Sequence, residues 1–154
     1  MKLLFPGSFD PFTIGHADLV ERALRMGAQV VVAIGINEGK KPMLTTQQRL
    51  EAIREYYKGK PGVSVTEYSG LTVEALRDNG CDAILRGIRS VADYDNERNI
   101  ADVNRIIEGV ETVLLVASPS VQHVSSSLVR ELNSFGRPAD DLVIDTFKPY
   151  FRKS

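Results

Sequence analysis

The sequence predicts an α/β fold: a doubly wound parallel sheet with helices on both faces, formed by one domain over residues 1–154. Three observations lead to this prediction. Short apolar segments alternate with segments of helical periodicity. Two apolar segments, QVVVAIG and TVLLVA, carry apolar residues on both faces, as strands covered on both sides do. The length of 154 residues suits one domain, and no repeat or linker interrupts it.

Five short apolar segments bounded by turn residues are predicted to be strands. They cover residues 2–5, 29–35, 63–67, 83–85 and 112–117. Helices are predicted around residues 17–24 and over residues 45–57, 71–79, 93–108 and 125–134, with a helical tail from residue 138. Thr45 and Gln48 form a capping-box pattern, Gly80 fits a C-terminal cap, and Pro149 would interrupt the tail.

Composition excludes several classes of protein. Lys and Arg number 19 against 20 Asp and Glu, which argues against a general polyanion binder. The single cysteine, Cys81, excludes an internal disulfide and fits a reducing compartment. The first residues are too short an apolar segment for a signal peptide, and no segment approaches the ~18 apolar residues of a membrane span. These features predict a cytoplasmic protein.

Five segments are expected at the carboxyl edge of the sheet, where open α/β sheets bind ligands. They are PGSFDP, NEGKKP, YSGLT, RGIRS and SPSVQHVSSS. They contain both histidines, many hydroxyls and four cations, namely Lys40, Lys41, Arg86 and Arg89. Cations gathered at one edge of a nearly neutral chain indicate a ligand with more than one phosphate.

Several alternative chemistries lack support in the sequence. NEGKKP lacks the first glycine and the Ser or Thr of a P-loop, and no glycine-rich dinucleotide motif follows the first strand. Two histidines without a third nitrogen or sulfur ligand make zinc unfavourable. Ser8 and His16 could belong to a triad, but no nucleophile-elbow sequence surrounds Ser8. Phosphoryl or nucleotidyl transfer is therefore favoured.

For each polar group a second interpretation stays open. Arg86 and Arg89 could bind phosphate, with Gly87 between them allowing close approach of the backbone, or could form surface salt bridges with the DYDNE segment. The lysines could be a solvated surface, and the serines of SSSLVR could only cap a helix. His16 could be a buried structural histidine. Asp10 could serve a metal or stabilise a turn, and the turn is favoured.

Two motifs carry a resemblance to the nucleotidylyltransferase superfamily. TIGH, at residues 13–16, matches its T/H-x-G-H signature, and VSSSLVR, at residues 124–130, matches its second motif. Within the superfamily, PGSFDPFTIGH, KKPML, LRGIRSVADYDNE and VSSSLVRE follow in order the pattern of the bacterial phosphopantetheine adenylyltransferase family. The resemblance covers residues 2–135.

The resemblance implies a Rossmann-like fold and adenylyl transfer from ATP to 4′-phosphopantetheine, which gives dephospho-coenzyme A and pyrophosphate. It also implies Mg²⁺ as cofactor and a homohexamer. The charge balance and the short apolar segments already argue against a nucleic-acid or membrane partner. His16 would stabilise the transition state, with Lys40 and Arg89 assisting. The implied substrate contacts are Ser8, Lys40, Thr72 and Arg86. The implied ATP contacts are Ser8, Phe9, His16, Gly87, Ile88, Arg89, Glu97, Val121, Gln122, His123, Val124, Ser125, Ser126 and Ser127.

Two positions and one segment depart from the usual family pattern. Ile14 replaces a common asparagine, His123 replaces an aromatic residue before VSSS, and the segment from residue 92 to 105 is unusually polar.

The attacking phosphate is already largely ionised at pH 7, so the chemistry requires no general base. Two alternatives remain: a sister nucleotidylyltransferase with another acceptor, and a non-catalytic nucleotide sensor.

Overall fold

The computed structural model describes residues 1–152, and it contains the five predicted strands. Each begins within one residue of its predicted start, and three continue past the predicted end towards the ligand edge. The strands are β1 (Lys2–Gly7), β2 (Gln29–Gly35), β3 (Val63–Tyr68), β4 (Ala83–Ile88) and β5 (Glu111–Val116).

The predicted helices are also present: the first four connect successive strands, and the fifth follows β5. They are α1 (Ile14–Arg25), α2 (Thr46–Tyr56), α3 (Thr72–Asp78), α4 (Val91–Glu108) and α5 (Ser126–Ser134). The predicted capping box at the start of α2 is confirmed, because Thr45 and Gln48 each accept the other's backbone N–H. After α3, Gly80 has a φ of +63°, which a residue with a Cβ adopts only at a cost.

The five strands form one parallel sheet in the order β3-β2-β1-β4-β5. The strand order reverses between β1 and β4, so a crevice opens beyond their carboxyl ends. Leu3 and Phe5 of β1 pack on one face with α1, α2 and α5. Leu4 packs on the other face with α3. The predicted doubly wound Rossmann-like sheet with helices on both faces is confirmed.

The expectation that TVLLVA is covered on both faces is wrong. Five of the seven residues of β2 are buried, because β2 lies between β1 and β3. β5 lies at the edge of the sheet, where its inner residues are only half-buried and Val116 is 65% exposed. An apolar sequence therefore does not by itself show that a strand is covered on both faces, because an edge strand such as β5 can be equally apolar.

Between residues 139 and 152 the chain forms short helical turns rather than a continuous helix. Two 3₁₀ turns (Asp140–Leu142 and Asp145–Phe147) lead into α6 (Lys148–Phe151). Pro149 lies in the first turn of α6, where a missing N–H breaks no intrahelical bond. Val143 forms an antiparallel bridge with Thr13, so this tail packs against the first loop.

No helix within residues 1–152 is long and apolar enough to cross a membrane.

We expect Phe147→Ala to lower the free energy of unfolding by ~3–5 kcal/mol, because the Phe147 ring is fully buried in the main core. Urea denaturation followed by circular dichroism measures this loss. Phe135→Ala is the matched control, because Phe135 is 75% exposed and its truncation should change stability by less than ~0.5 kcal/mol. Equal losses in the two variants would contradict the docking of the tail.

Candidate active site

Three cavities meet at the carboxyl edge of the sheet, and Ser8 lines all three of them. The inner cavity, of about 240 Å³, lies above β1 and β4, beside α1 and α5. The large cavity, of about 810 Å³, extends from Ser8 past the end of β3 to α4. The lysine cavity, of about 460 Å³, lies between the segment after β2 and α5. The turn after β1 is therefore the common wall of the site.

The inner cavity collects most of the residues predicted to contact ATP. Those that line it are Ser8, Phe9, His16, Gly87, Arg89, Val121, Val124, Ser125 and Ser126. Gln122 and His123 lie in a shallow surface depression beside Arg89. Ser127 is exposed on α5, Ile88 is half-buried at the end of β4, and Glu97 lines the large cavity instead.

His16 is held by a reciprocal cap at the start of α1. The backbone N–H of Thr13 donates to Nδ1 of His16 at 3.0 Å, and the N–H of His16 donates to the Thr13 hydroxyl at 3.3 Å. Because Nδ1 accepts a hydrogen bond, the neutral ring carries its proton on Nε2. Nε2–H is thus available as a donor to a ligand in the inner cavity.

Three phenylalanine rings pack around the half-buried imidazole. The ring centroids of Phe5, Phe9 and Phe12 lie 6.0, 5.0 and 5.2 Å from that of His16. Burial among these rings, together with the positive charges of Arg86 and Arg89, lowers the pKa of His16 from 6.5 to about 3. His16 thus packs in an apolar cluster and also lines the inner cavity, and its catalytic role stays a prediction.

The first turns of α1 and α5 both border the inner cavity, through Gly15 and through Ser125 and Ser126. Ser125 caps α5 by accepting the N–H of Leu128 at 3.1 Å. The amides at the first two positions of each helix have no intrahelical acceptor, so they can donate to an anion. Two positive helix ends beside the same space favour a polyphosphate.

The three serines of SSSLVR have three different roles in the fold. Ser125 is the cap, and the Ser126 hydroxyl donates to the carbonyl of Pro11 at 2.7 Å. Ser127 contacts the Arg130 guanidinium at 3.2 Å. Capping thus explains one serine, and a second ties α5 to the first loop.

Arg86 and Arg89 of RGIRS form salt bridges with the DYDNE segment, as one interpretation predicted. They also line the cavities, as the phosphate-binding interpretation predicted. Arg86 donates Nε and Nη2 to the two carboxylate oxygens of Glu97, at 3.0 and 2.7 Å, and Nη1 to the carbonyl of Pro6. Arg89 pairs with Asp93 at 3.3 Å. Arg86 lines the inner and large cavities, and Arg89 lines the inner one. The acids fix the guanidinium groups at the site.

Gly87 has a packing role that the sequence did not reveal. The sequence suggested that this glycine admits a ligand, but a Cβ at Gly87 would overlap Cδ1 of Leu19 on α1. The glycine thus allows α1, which carries His16, to pack closely on β4.

The predicted substrate contacts are divided between two cavities. Thr72 lines the large cavity, and its hydroxyl lies 2.9 Å from the Tyr68 hydroxyl. Lys40 lines the lysine cavity together with Lys41, and both lysines are exposed. Ser8 and Arg86 border the large cavity as well. The structure thus brings these four residues to one edge of the sheet without placing them in one pocket.

Comparison with known proteins identifies the family of the chain. The family model described as Cytidylyltransferase-like matches residues 4–132. The chain is 50% identical over 144 residues to the phosphopantetheine adenylyltransferase of Porphyromonas gingivalis, with 94% of each chain covered. It is 45% identical to the protein of the same name from Symbiobacterium thermophilum, covering 93% of this chain and 89% of the relative. The chain belongs to the phosphopantetheine adenylyltransferase family.

Solved structures share the fold at low identity. A bifunctional NMN adenylyltransferase/ADP ribose pyrophosphatase from Francisella tularensis superposes with a TM-score of 0.70 at 15% identity, over 94% of this chain. NadR in complex with NR superposes with a TM-score of 0.65 at 13% identity, over 99% of this chain. The chain spans 45% of each of those proteins.

Asp10 stabilises the turn after β1, as the favoured interpretation predicted, but through partners far along the chain rather than within the turn. Its carboxylate accepts the backbone N–H groups of Met43 and Leu44, which are more than 30 residues away. Arg49 and Arg130, which sequence reasoning missed, donate to the carbonyls of Ser8 and Asp10. The sequence carried little signal for these contacts, since they join segments that only the strand order brings together.

We expect the titration of His16 to lower the free energy of unfolding by about 2 kcal/mol between pH 8 and pH 5. The fold keeps the imidazole neutral, with its pKa lowered to about 3, whereas the unfolded chain takes up this proton near pH 6.5. The contribution is therefore complete above about pH 7 and is lost progressively as the pH falls towards 3. Urea denaturation at the two pH values measures it.

His16→Gln is the control for this titration. Glutamine at the third helical position can still accept the Thr13 N–H but has no titrating group. The variant should lose ~2 kcal/mol less than the wild type between pH 8 and pH 5. Equal losses in the two proteins would contradict the lowered pKa.

Proposed function

We propose that this chain transfers the adenylyl group of ATP to 4′-phosphopantetheine, giving dephospho-coenzyme A and pyrophosphate in coenzyme A biosynthesis. Its membership of the phosphopantetheine adenylyltransferase family supports the reaction. The observation that carries the assignment of the site is the position of Ser8. There the inner cavity, with its two helix N-termini, meets the large cavity, which can hold an extended acceptor.

ATP would bind with its phosphates in the inner cavity, close to Arg89 and the first turns of α1 and α5. Phosphopantetheine would occupy the large cavity, with its phosphate directed towards Ser8 and Arg86. An oxygen of the acceptor phosphate attacks the α-phosphorus of ATP. The bond from that phosphorus to the oxygen bridging to the β-phosphate breaks, and pyrophosphate leaves with the electron pair.

His16 contributes a hydrogen bond rather than a proton transfer. The attacking phosphate is largely ionised at pH 7, because its second pKa is about 6. Negative charge builds on the α-phosphate oxygens in the transition state, and the Nε2–H of His16 can donate to it. The cations of Lys40 and Arg89 would add electrostatic stabilisation. Donors of this kind, fixed before the reaction, provide most of the catalysis in such sites.

Arg86 would hold the acceptor phosphate in a position set by Glu97. Glu97 is buried, and it binds two of the three guanidinium nitrogens. Each Nη of Arg86 carries a second N–H that can still donate to a phosphate oxygen. Because Glu97 already holds Arg86, the arginine side chain loses less conformational freedom on binding the phosphate than an unpaired arginine would.

Mg²⁺ would enter the site with the nucleotide. Within residues 1–152 there is no group of three or more His, Cys, Asp or Glu side chains that could hold a metal ion. Mg²⁺ keeps several waters and commonly binds through substrate phosphates.

The homohexamer implied by the family resemblance has support in the exposed face of α4. Ile100, Val103, Ile106 and Ile107 are 49–83% exposed and follow helical spacing. Glu97 is the only buried residue of this 18-residue helix. Contiguous apolar surface of this kind commonly marks a protein interface. The cytoplasmic location stays a prediction from the sequence.

The reaction and the role of His16 can be tested together. The wild type, incubated with ATP, Mg²⁺ and 4′-phosphopantetheine, should form a product with the mass of dephospho-coenzyme A. We expect His16→Gln to lower kcat by about a hundredfold, or ~3 kcal/mol, while keeping the cap of α1. Turnover within a few-fold of the wild type would contradict the role of His16.

The same assay separates the alternative functions. A sister nucleotidylyltransferase would release pyrophosphate only with another acceptor, such as nicotinate mononucleotide or an alcohol phosphate. A nucleotide sensor would bind ATP without releasing pyrophosphate with any of these acceptors. Family membership and the cavity shared at Ser8 favour phosphopantetheine over both.

We expect Ile106→Glu to dissociate the oligomer, because it places a charge in the exposed apolar face of α4, where Ile106 is 83% exposed. Size-exclusion chromatography with light scattering measures the mass. Met26→Glu is the control, since Met26 is 63% exposed at the end of α1 and should leave the assembly intact. A hexamer that survives Ile106→Glu would contradict an interface on α4.

A further inference from the structure

The carboxylate of Asp10 joins the turn after β1 to the lysine-bearing segment. Asp10 is only 6% exposed. Its Oδ2 accepts the N–H of Met43 at 2.8 Å, and its Oδ1 accepts the N–H of Leu44 at 2.9 Å. These amides follow Lys40, Lys41 and Pro42 directly in the chain. One side chain therefore fixes the end of the segment that carries both lysines.

The same turn is held from two further elements. Arg49 of α2, which is 3% exposed, donates Nη1 to the carbonyl of Ser8. Arg130 of α5 donates Nη1 to the carbonyl of Asp10 at 2.9 Å. The residues from Ser8 to Asp10 thus contact α2, α5 and the lysine segment through hydrogen bonds, all beside the lysine cavity.

The negative charge of Asp10 also balances a buried cation. Burial lowers the pKa of the Arg49 guanidinium, and the Asp10 carboxylate acts against this shift. Lys40, Lys41 and Arg130 line the same cavity. A buried carboxylate among these cations is stabilised by charge as well as by its two amide hydrogen bonds.

We propose that Asp10 is a positioning residue for the acceptor: it fixes the segment that carries Lys40 at a set distance from Ser8, and so places the lysine that contacts the acceptor phosphate. This inference rests on the proposed function, in which Lys40 contacts that phosphate. Asp10 does not touch the reacting atoms. It acts through the backbone of Met43 and Leu44, whose N–H groups each donate to one of its two oxygens.

The geometry requires a carboxylate rather than an amide. Two N–H donors converge on the two oxygens of one side chain. Asparagine would present one oxygen and one NH₂ group, so one of the two amides would face another donor. Asp10→Asn therefore releases one of the two hydrogen bonds with almost no change in volume.

The test is a double-mutant cycle between Asp10→Asn and Lys40→Met, with steady-state kinetics in both substrates. We expect Asp10→Asn to raise the KM for phosphopantetheine about tenfold and to change the KM for ATP less than threefold. In the Lys40→Met background, Asp10→Asn should raise the acceptor KM less than twofold, because the residue through which it acts is already absent.

Asp82→Asn provides the matched control. The Asp82 carboxylate accepts the backbone N–H of Lys2 at 2.8 Å, at the opposite end of the sheet. This variant loses a bond of the same kind and should leave both KM values unchanged. If Asp10→Asn does not fold, as judged by circular dichroism, Asp10→Glu replaces it in the cycle, since glutamate keeps the charge beside Arg49.

Three outcomes would overturn the inference. The first is that Asp10→Asn and Lys40→Met have additive effects on the acceptor KM. The second is that Asp10→Asn raises the KM for ATP as much as the KM for the acceptor. The third is that Asp10→Asn lowers Tm but leaves the kinetics unchanged. The last is the result expected of a purely structural residue.

Failure of the proposed function would be distinguishable from failure of this inference. If the wild type forms no dephospho-coenzyme A, the reaction is wrong, and the positioning role is read from hydrogen exchange. The amides of Met43 and Leu44 should exchange at least tenfold faster in Asp10→Asn than in the wild type, with no such change in Asp82→Asn. Unchanged exchange would contradict the role of Asp10 whatever the reaction is.

Discussion

The site depends on one constraint: the turn after β1 must keep a fixed shape although three cavities open against it. Hydrogen bonds from α2, α5 and the lysine segment hold its backbone and the Asp10 side chain. Phe9 adopts a φ of +49°, a left-handed conformation that costs a non-glycine residue about 1–2 kcal/mol. Packing of the Phe9 ring against Phe5, Phe12 and His16 offsets that cost. The turn is thus held by polar bonds on one side and aromatic packing on the other.

The electrostatics of the site follow from pairing cations with acids rather than from net charge, which is −1. Arg86 is paired with Glu97 and Arg89 with Asp93. The negative charge of Asp10 opposes the lowering of the Arg49 pKa by burial. These pairs set geometry, because a paired guanidinium loses little further freedom when a phosphate arrives. Burial lowers the pKa of His16 most, and the charges of the two arginines of RGIRS add to this effect. A bound polyphosphate would act against them and raise the pKa of His16 from its low value.

Much of the fold could be predicted from the sequence, because the features that define it are local. Short apolar segments and the Thr45–Gln48 pair identify strands and a helix start without knowledge of the tertiary structure. The ligand edge followed from the parallel sheet alone. The exposure of β5 could not be predicted, because it depends on which strand lies at the edge. The contacts of Asp10 were inaccessible for the same reason, since they join segments 33 and 34 residues apart.

The helix α4 links the acceptor site to the proposed assembly. One side of it closes the large cavity through Glu97, Ala101 and Asn104, and Glu97 fixes Arg86. The rest of the helix has little burial of its own and exposes apolar side chains such as Ile106. The one buried residue of this helix is an acid, so the helix receives little stabilisation from packing in the core. A second subunit packed on its apolar face would supply that stabilisation, and the position of Arg86 would then depend on assembly as well as on Glu97.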